Sequence, residues 1–204
     1  MVYRTPSTLA MHRCSSLQYV MQVTKTDLPG VLIFEPRRFG DSRGFFAETF
    51  RADRYAAVGL KDAFVQDNWS RSARGVLRGL HLQNPTQQGK LVSVIRGEIL
   101  DVAVDVRIGS PTFGRHVAVT LSEENGRQFF IPRGFAHGFV VLSDMVDFLY
   151  KCDDYYSPAD EITIRWDDPA IGIAWPISNP TLSARDAAAP LLSETTRLPR
   201  FEDA

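Results

Sequence analysis

Short runs of β-branched and aromatic residues, separated by Gly, Pro, Asn and Asp, occupy the chain from Val31 to Trp166. This spacing of apolar runs and turn residues is typical of an all-β sandwich or barrel. The stretch Arg51–Val58 has a helical pattern instead, and the chain after Pro169 is rich in Pro, Ala and Ser, which predicts an irregular C-terminal segment. The predicted strands are Val31–Glu35, Phe45–Phe50, Phe64–Ser70, Gly75–Leu82, Lys90–Arg96, Ile99–Val106, Arg115–Leu121, Arg127–Ile131, Ala136–Leu142, Met145–Lys151 and Ile162–Trp166.

The strand Ile99–Val106 shows the clearest alternation of apolar and polar positions. Its faces carry Leu100, Val102, Val104 and Val106 on one side, and Asp101, Ala103 and Asp105 on the other. We therefore expect the first face to pack and the second to remain unpacked. The strand Lys90–Arg96 alternates in the same way and puts Lys90 on an otherwise apolar face, where a lysine is commonly an edge residue whose ammonium reaches water.

The composition suits one packed domain, predicted to comprise residues 21–204. Of the 204 residues, 44% are hydrophobic and 11% are aromatic. The 23 basic and 24 acidic residues are dispersed and give a net charge of -1, which argues against binding to nucleic acid or to a membrane surface. No apolar run is long enough to span a membrane.

Residues 1–20 and the two cysteines bear on where the protein acts. The first segment contains Arg4 and Arg13 but no acidic residue, which is a weak resemblance to a transit peptide. We favour a disordered extension over residues 1–20, or an upstream start codon ahead of Met21. Cys14 and Cys152 lie far apart and have no CxxC spacing, which favours a reducing compartment. We predict a cytoplasmic protein and assign residues 1–20 no role.

The segment that begins at Gly126 has the spacing of a known motif. Five residues separate Gly126 from Pro132, and Gly134 and His137 follow. This arrangement resembles the second motif of the cupin superfamily, whose fold is a jelly-roll β-sandwich, although Val141 stands where that motif usually has Asn.

The first cupin motif normally supplies two histidines and a glutamate to a metal ion. Here His81 is followed by Gln83 at the second histidine position, and Lys90 stands seven residues before Gly97, where the glutamate is expected. A cation and a neutral amide in place of two ligands remove most of the affinity for a divalent metal. The sequence therefore predicts a cupin cavity without a metal and with a positive charge instead.

These substitutions suit proton abstraction next to a ketone. An ammonium at the position of Lys90 can stabilise a developing enolate, much as a metal ion does. His81 beside it is a suitable base near neutral pH. The alternative is that His81 only satisfies a buried polar group.

The segment around Ser143 and Asp144 predicts a β-hairpin. A two-residue or four-residue turn there pairs His137 with Tyr150, whereas a three-residue loop breaks this pairing. In this register Tyr150 is a candidate general acid; the alternative is a packing residue whose hydroxyl lies near water.

Arg78 and His81 are three residues apart, so a regular strand would point them to opposite faces. A β-bulge at Gly79 would bring both side chains to one face. Without such a bulge, Arg78 does not belong to the site.

Six segments together resemble the dTDP-4-dehydrorhamnose 3,5-epimerase family, in the family's order and from about Met21 to about Leu192. These segments are Asp41–Glu48, Phe64–Asn68, Arg78–His81, Gly89–Lys90, Phe135–Phe139 and Tyr150–Tyr156. The resemblance implies inversion of C3 and C5 of dTDP-4-dehydro-6-deoxy-D-glucose to give dTDP-4-dehydro-L-rhamnose. The implied route is proton abstraction next to the C4 ketone and reprotonation from the opposite face, with no cofactor.

The resemblance also implies the roles of individual residues. His81 would be the proton acceptor, oriented by Asp186, and Tyr150 would be the proton donor. Lys90 and His137 would lie near the ketone and stabilise the enolate. The implied substrate-binding residues are Arg78 and Arg185 at the diphosphate, Gln66, Asn68 and Glu161 in the pocket, and Arg43, Phe46 and Glu48 from the partner subunit of a homodimer that exchanges N-terminal strands.

Three further functions fit parts of the same pattern. A mono-epimerase would act at only one of the two carbons, and a ketoisomerase of the cupin class would move the carbonyl. A non-catalytic sugar-nucleotide binding module would lack an acid and a base on opposite sides of its cavity. The metal-dependent cupin oxygenases are disfavoured because His81 and His137 lack the remaining metal ligands.

Overall fold

Alternating apolar residues give each long strand one face that must leave water, and two antiparallel sheets satisfy this by packing face to face. The computed structural model describes residues 21–60 and 63–203, and the segment 1–20 lies outside these ranges. Phe129, Phe139 and Phe148 fill the layer between the sheets, together with Val92 and Ile131. The predicted all-β sandwich is confirmed.

The secondary structure is dominated by short strands. They are β1 (Gln22–Lys25), β2 (Leu32–Glu35), β3 (Arg38–Asp41), β4 (Gly44–Ala47), β5 (Gln66–Ala73), β6 (Leu77–Gln83), β7 (Lys90–Arg96), β8 (Glu98–Asp105), β9 (His116–Ser122), β10 (Gln128–Ile131), β11 (Phe135–Val141), β12 (Met145–Cys152) and β13 (Glu161–Thr163). The helices are α1 (Ala52–Ala57) and α2 (Ala184–Ala187), with 3-10 turns at Leu192–Glu194 and Phe201–Asp203. No helix in the described ranges is long and apolar enough to cross a membrane.

All neighbouring strands within the sheets are antiparallel. One sheet has the order β1-β2-β10-β7-β12-β5, the second has the order β13-β6-β11-β8-β9, and β3 pairs with β4 in a separate hairpin. Every predicted strand corresponds to an observed one, with ends that agree within three residues, and the predicted helix corresponds to α1. The strands β1 and β3 were not predicted, because their sequences QVTK and RFGD contain too few apolar residues to show an alternation.

The irregular C-terminal segment packs on the outer face of the five-stranded sheet. Ile171 and Leu192 from this segment join Val102 and Val104 of β8 in one apolar cluster. The even-numbered face of β8 therefore packs as predicted. The segment also makes a parallel bridge between Thr181 and Val76, which aligns it with the start of β6.

The opposite face of β8 is also buried, so the prediction that it stays unpacked was wrong. Asp101 and Asp105 are both 0% exposed. Each carboxylate has partners that are invisible in the alternation of β8 itself: His137 for Asp101, and Arg107 for Asp105. A buried carboxylate is tolerated only when such groups replace its water shell.

The strands β11 and β12 do not form the predicted hairpin. His137 pairs with His81 on β6, whereas Tyr150 pairs with Asn68 on β5 and with Val92 on β7. Both edges of each strand are already hydrogen-bonded within its own sheet, so the connection between β11 and β12 crosses from one sheet to the other. A short turn sequence fixes a change of direction but not whether the flanking strands pair.

The predicted β-bulge in β6 is confirmed. Between its partners His137 and Phe139, β11 advances two residues while β6 advances three, from His81 to Arg78. Arg78 consequently reaches the facing sheet, where its Nε donates to Ser72 Oγ at 3.1 Å. Gly79 lies at the irregularity with φ of 131°.

The close approach of the paired strands β6 and β11 leaves no space for a side chain at Gly79. A Cβ there would lie 2.5 Å from Gly138 Cα and 2.9 Å from the carbonyl oxygen of His137, and both of these are backbone atoms. Gly44 in the β3–β4 hairpin has nearly the same φ, 129°, but its Cβ would meet nothing within 4 Å. The two glycines therefore separate the cost of the backbone conformation from the cost of the steric contact.

We expect Gly79→Ala to reduce the free energy of unfolding by about 1–3 kcal/mol more than Gly44→Ala does, because only the first adds overpacking to backbone strain. Denaturant unfolding of both variants measures this difference. Equal losses of unfolding free energy in the two variants would show that the contact between β6 and β11 at Gly79 is not sterically constrained.

Candidate active site

A cavity of about 370 Å³ opens between the two sheets. Its lining residues come from β5, β6, β7, β12 and β13, from the loop between β6 and β7, and from the loop that follows β12. The lining residues are Gln66, Asn68, His81, Leu82, Gln83, Gln88, Lys90, Tyr150, Cys152, Tyr156 and Glu161.

His81 contributes an imidazole from β6 that is bound to a buried carboxylate. Its Nε2 lies 2.6 Å from Oδ1 of Asp186, whose side chain is only 4% exposed. Burial by itself would raise the pKa of Asp186, but the hydrogen bond and the charge interaction with His81 outweigh burial and lower it. Asp186 is therefore ionised near neutral pH and holds the imidazole in one orientation.

The position of Asp186 depends on the C-terminal segment. Ser183 caps the N-terminus of α2 and accepts a hydrogen bond from the backbone amide of Asp186 at 3.1 Å. Thr181, just before this cap, exchanges backbone hydrogen bonds with Gly75 and Leu77. The bridge beside β6 thus brings a residue more than a hundred positions away against His81.

Lys90 brings an ammonium to the cavity from the opposite sheet, at the start of β7. Within residues 21–60 and 63–203 this ammonium makes no ion pair and no side-chain hydrogen bond. Burial lowers the pKa of Lys90, and the negative groups around it oppose this effect. The same ranges contain no group of three His, Cys, Asp or Glu side chains placed to hold a metal ion.

Tyr150 lies on β12, in the sheet opposite His81. It pairs with Asn68 on β5 and with Val92 on β7, the two strands next to β12. Burial raises the pKa of its phenol, so the hydroxyl keeps its proton at neutral pH. The cavity therefore has an imidazole on one wall and a protonated phenol with an ammonium on the other.

His137 lies behind the cavity and is not among its lining residues. Its side chain is 9% exposed, and its Nε2 donates to both oxygens of Asp101, at 2.9 and 3.1 Å. The ring stacks on Phe148 with centroids 6.1 Å apart, and Phe148 lies 5.6 Å from Tyr150. His137 and Tyr150 are thus linked across the interior through an aromatic ring and not through strand pairing.

The predicted pocket residues Gln66 and Asn68 do line the cavity, and they form a hydrogen-bonded wall with Cys152. Gln66 Nε2 donates to Asn68 Oδ1 at 3.0 Å, and Asn68 Nδ2 donates to Cys152 Sγ at 3.7 Å. Burial is the main cause that raises the pKa of the Cys152 thiol to about 11.

A second hydrogen-bonded group lies at the cavity rim. Glu161 accepts from the Tyr156 hydroxyl at 2.5 Å and from Arg185 Nη1 at 2.6 Å. Burial alone would raise the pKa of Glu161, but the hydrogen bonds from Arg185 and Tyr156 lower it. Arg185 also donates to Thr163 Oγ1 at 2.9 Å, so its guanidinium is held in place.

Six of the predicted binding residues are not among the lining residues of the cavity, namely Arg43, Phe46, Glu48, Arg78, His137 and Arg185, and the first three of them lie in or just after the β3–β4 hairpin. Arg43 and Phe46 belong to the β3–β4 hairpin, with an 87% exposed side chain for Arg43 and 62% exposure for Phe46. Arg43 pairs with Asp41, and Glu48 pairs with Arg54 of α1 at 2.7 Å. Within one chain the structure does not bring these three residues to His81.

Comparisons with known proteins identify the family of this chain. The sequence model of dTDP-4-dehydrorhamnose 3,5-epimerase matches residues 25–194. The chain belongs to this family. An epimerase of the same name from Salmonella typhimurium is 57% identical over 178 residues, which cover 86% of this chain and 97% of the relative.

Solved structures extend the likeness to the fold. The dTDP-6-deoxy-D-glucose-3,5-epimerase of Legionella pneumophila, in complex with dTDP-4-keto-L-rhamnose, has a TM-score of 0.87 and 55% identity over 89% of this chain and 99% of that one. A 3'-monoepimerase of Streptomyces bikiniensis, in complex with dTDP-quinovose, has a TM-score of 0.82 and 38% identity over 87% and 93%. The predicted family and the epimerase class are confirmed.

Several lining residues of the epimerase had no predicted role, namely Leu82, Gln83, Gln88, Cys152 and Tyr156. Two of them had a usable signal in the sequence. Cys152 lies two positions after Tyr150 on β12 and therefore faces the same side. Gln83 lies two positions after His81 on β6 in the same way. Gln88 and Tyr156 lie outside the strands, where periodicity gives no direction.

The burial of Cys152 predicts a slow reaction with thiol reagents. At pH 8 a thiol whose pKa is about 11 has little thiolate. In a Cys14→Ser background, native protein should react with Ellman's reagent about 100-fold more slowly than guanidinium-unfolded protein, whose thiol has an ordinary pKa. Equal rates would show that the Cys152 wall of the cavity opens readily to solvent.

Proposed function

We propose that this epimerase inverts C3 and C5 of dTDP-4-dehydro-6-deoxy-D-glucose and forms dTDP-4-dehydro-L-rhamnose. The observation that carries the proposal is the arrangement of His81 on one wall of the cavity, with Tyr150 and Lys90 on the other. Inversion requires removal of a proton from one face of the sugar and its return to the other face, which this arrangement permits. The Legionella pneumophila relative contains dTDP-4-keto-L-rhamnose, which supports the same sugar here.

The base in this mechanism is His81. Since the Asp186 carboxylate can only accept, the imidazole Nε2 carries the hydrogen between them, and Nδ1 is left to accept a proton. The C4 ketone acidifies the hydrogens on C3 and C5, and His81 removes one of them. The electron pair of the broken C–H bond moves onto the ketone oxygen and gives an enolate.

Lys90 and Tyr150 complete each inversion. The Lys90 ammonium stabilises the negative oxygen of the enolate by electrostatic attraction. Tyr150 donates its proton to the same carbon from the opposite face, and its raised pKa ensures that the proton is present. Repeating the cycle at the second carbon inverts both centres without oxidation or reduction.

Residues in and around the cavity hold the substrate. We assign Arg78 and Arg185 to the diphosphate, since guanidinium groups bind phosphate oxygens bidentately. Arg185 is already held by Glu161 at the rim, so this carboxylate orients the guanidinium before substrate arrives. Gln66 and Asn68 offer amide groups to the sugar hydroxyls, and His137 supports the floor from behind.

The number of inverted carbons follows from the position of deuterium. With dTDP-4-keto-6-deoxyglucose in heavy water, NMR should show label at both C3 and C5. Label at one carbon would identify a mono-epimerase, the activity named for the Streptomyces bikiniensis relative. No label at either carbon would exclude epimerase chemistry at this site.

Variants of the acid and the base should fail at different steps. His81→Ala should lower the exchange rate by about 10²–10⁴-fold, because it removes general-base catalysis. Tyr150→Phe should impair product formation more than exchange, since the enolate still forms. His116→Ala on β9 and Tyr155→Phe, both outside the cavity lining, are the matched controls and should remain active. Full activity in His81→Ala would refute the assignment of the base.

We also infer that the epimerase is a homodimer in which the β3–β4 hairpin completes the site of the partner subunit. The two strands of this hairpin pair only with each other among the described residues. Phe45 and Phe46 are 64% and 62% exposed, and aromatic groups so exposed on a hairpin favour contact with another surface. Arg43, Phe46 and Glu48 would bind the nucleotide of the partner, which explains their absence from the cavity of their own chain.

Mixing two inactive variants tests this arrangement. A heterodimer of Arg43→Ala and His81→Ala chains contains one site with both an intact His81 and an intact Arg43 from the other chain. Random reassembly should restore about one quarter of wild-type activity at low substrate concentration. If the hairpin served its own chain, no mixture would gain activity.

We further propose that the epimerase acts in the cytoplasm. Cys152 is a free and buried thiol on the cavity wall, and a reducing compartment keeps such a thiol unmodified. Cys14 lies outside the described residues.

A further inference from the structure

Gln83 lines the cavity but has no role in the mechanism above. It lies two positions after His81 on β6 and is only 4% exposed. A buried amide needs partners for its two N–H groups and for its oxygen. The partners of Gln83 are backbone groups of two loops that border the cavity, the β6–β7 loop (84–89) and the β12–β13 loop (153–160).

The side-chain amide of Gln83 joins these two loops. Its Nε2 donates to the carbonyl oxygen of Thr86 at 2.7 Å, in the β6–β7 loop, and to the carbonyl oxygen of Tyr155 at 3.3 Å, in the β12–β13 loop. Its Oε1 accepts from the backbone amide of Ser157 at 2.9 Å. Both N–H groups are therefore engaged by the protein itself before substrate arrives.

The two hydrogen bonds to the β12–β13 loop lie on either side of Tyr156. The Tyr155 carbonyl belongs to the peptide plane that precedes Tyr156, and the Ser157 amide belongs to the plane that follows it. Because each peptide unit is planar, φ and ψ of Tyr156 set the relative orientation of these two planes. An amide that holds both planes therefore fixes the backbone at Tyr156 and the direction of its side chain.

Tyr156 has a defined place in the cavity wall. It is a lining residue that remains 50% exposed, and its backbone amide donates to Gln66 Oε1 at 2.9 Å. Its hydroxyl donates to Glu161 at 2.5 Å, and the same carboxylate binds Arg185. A change in the direction of Tyr156 would thus reach the guanidinium that we assign to the diphosphate.

We propose that Gln83 is a positioning residue that fixes the peptide planes on either side of Tyr156 and so directs this side chain into the cavity. Its effect on the substrate rests on the proposed function, in which Glu161 orients Arg185 toward the diphosphate. Gln83 acts through Tyr156 and does not itself bind the substrate.

Calorimetric titration with dTDP, the nucleotide of the proposed substrate, measures this effect without catalysis. Gln83→Met keeps the approximate length of the side chain and removes its amide. The Kd should rise by roughly 3- to 10-fold, because Tyr156 must then be ordered when the nucleotide binds. An unchanged Kd would overturn the proposal.

Gln87→Met is the matched control. Gln87 lies in the β6–β7 loop and is 8% exposed, but it does not line the cavity, and its Oε1 has no hydrogen-bond partner among the described residues. Its substitution should leave the Kd in place. An equal rise in Gln87→Met would mean that the loss of any buried amide near this loop weakens binding, which would also overturn the proposal.

A double-mutant cycle separates positioning from a purely structural role. Tyr156→Ala should raise the Kd for dTDP by itself. In that background Gln83→Met should add less than about twofold, because the side chain that Gln83 directs is no longer there. Additive losses, or an unchanged Kd in Tyr156→Ala, would refute the proposal.

Amide hydrogen exchange in the free enzyme tests the loop without any ligand. In Gln83→Met the Ser157 amide should exchange roughly tenfold faster, since it loses its acceptor, while the amides of β7 keep their rates. An unchanged Ser157 rate would contradict the proposal. Failure of wild-type protein to bind dTDP would instead refute the nucleotide assigned under the proposed function, and the exchange rate would still decide the role of Gln83.

Gln83→Asn covers the case in which Gln83→Met does not fold. It keeps a buried amide, but its side chain is one methylene shorter and cannot hold both peptide planes. The same rise in Kd and the same faster exchange of Ser157 are expected. Wild-type values for both would overturn the proposal.

In turnover, Gln83→Met should raise KM for the nucleotide sugar by about the same factor as the Kd. The kcat should stay within about twofold of wild type, because His81 and Tyr150 keep their places. A lower kcat with an unmoved KM would place the effect at the acid or the base and contradict the proposal.

Discussion

Charge buried between two apolar sheets must be balanced within the protein, and the polar residues of this epimerase are arranged around that constraint. Burial at the cavity wall lowers the pKa of the Lys90 ammonium, and the acidic groups around it oppose this effect. The same interior places a carboxylate, Asp101, behind the cavity with His137 as its hydrogen-bond donor. Around the cavity, Glu161 and Asp153 are each paired with an arginine. The carboxylates around the cavity are thus paired with basic side chains, whereas the Lys90 ammonium has no ion pair among the described residues.

The two-sheet architecture also explains why this fold suits an epimerase. A base and an acid that act on opposite faces of a sugar ring have to stand on opposite sides of it. His81 on the five-stranded sheet and Tyr150 on the six-stranded sheet meet this requirement because the sheets themselves form the two walls. The fold alone does not set the number of carbons inverted, since a 3'-monoepimerase has the same fold at a TM-score of 0.82.

The imidazole depends on parts of the chain that are distant in sequence. The bulge at Gly79 brings Arg78 and His81 to one face of β6. The backbone of β11 at Gly138 packs so closely against Gly79 that no side chain fits between them. The C-terminal segment forms a parallel bridge at the start of β6, and this places Asp186 within hydrogen-bond distance of Nε2 of His81. A segment that looks irregular in the sequence is therefore part of the proposed catalytic site, and its apolar residues pack it on the outer face of the sheet.

The sequence by itself determined the elements and much of the site. Alternation predicted the strands, because burial of one face requires a period of two, and the spacing of His81, Lys90 and Tyr150 followed motifs that resembled one family. Only the tertiary structure decided which strands pair. The turn after β11 was compatible with a hairpin, yet β11 and β12 lie in different sheets, since backbone hydrogen bonds are equally well satisfied by other neighbours. The alternation of β8 likewise did not predict the burial of Asp101. A polar residue is buried in a core only when the fold brings a hydrogen-bond partner to it, here His137, which is distant in sequence.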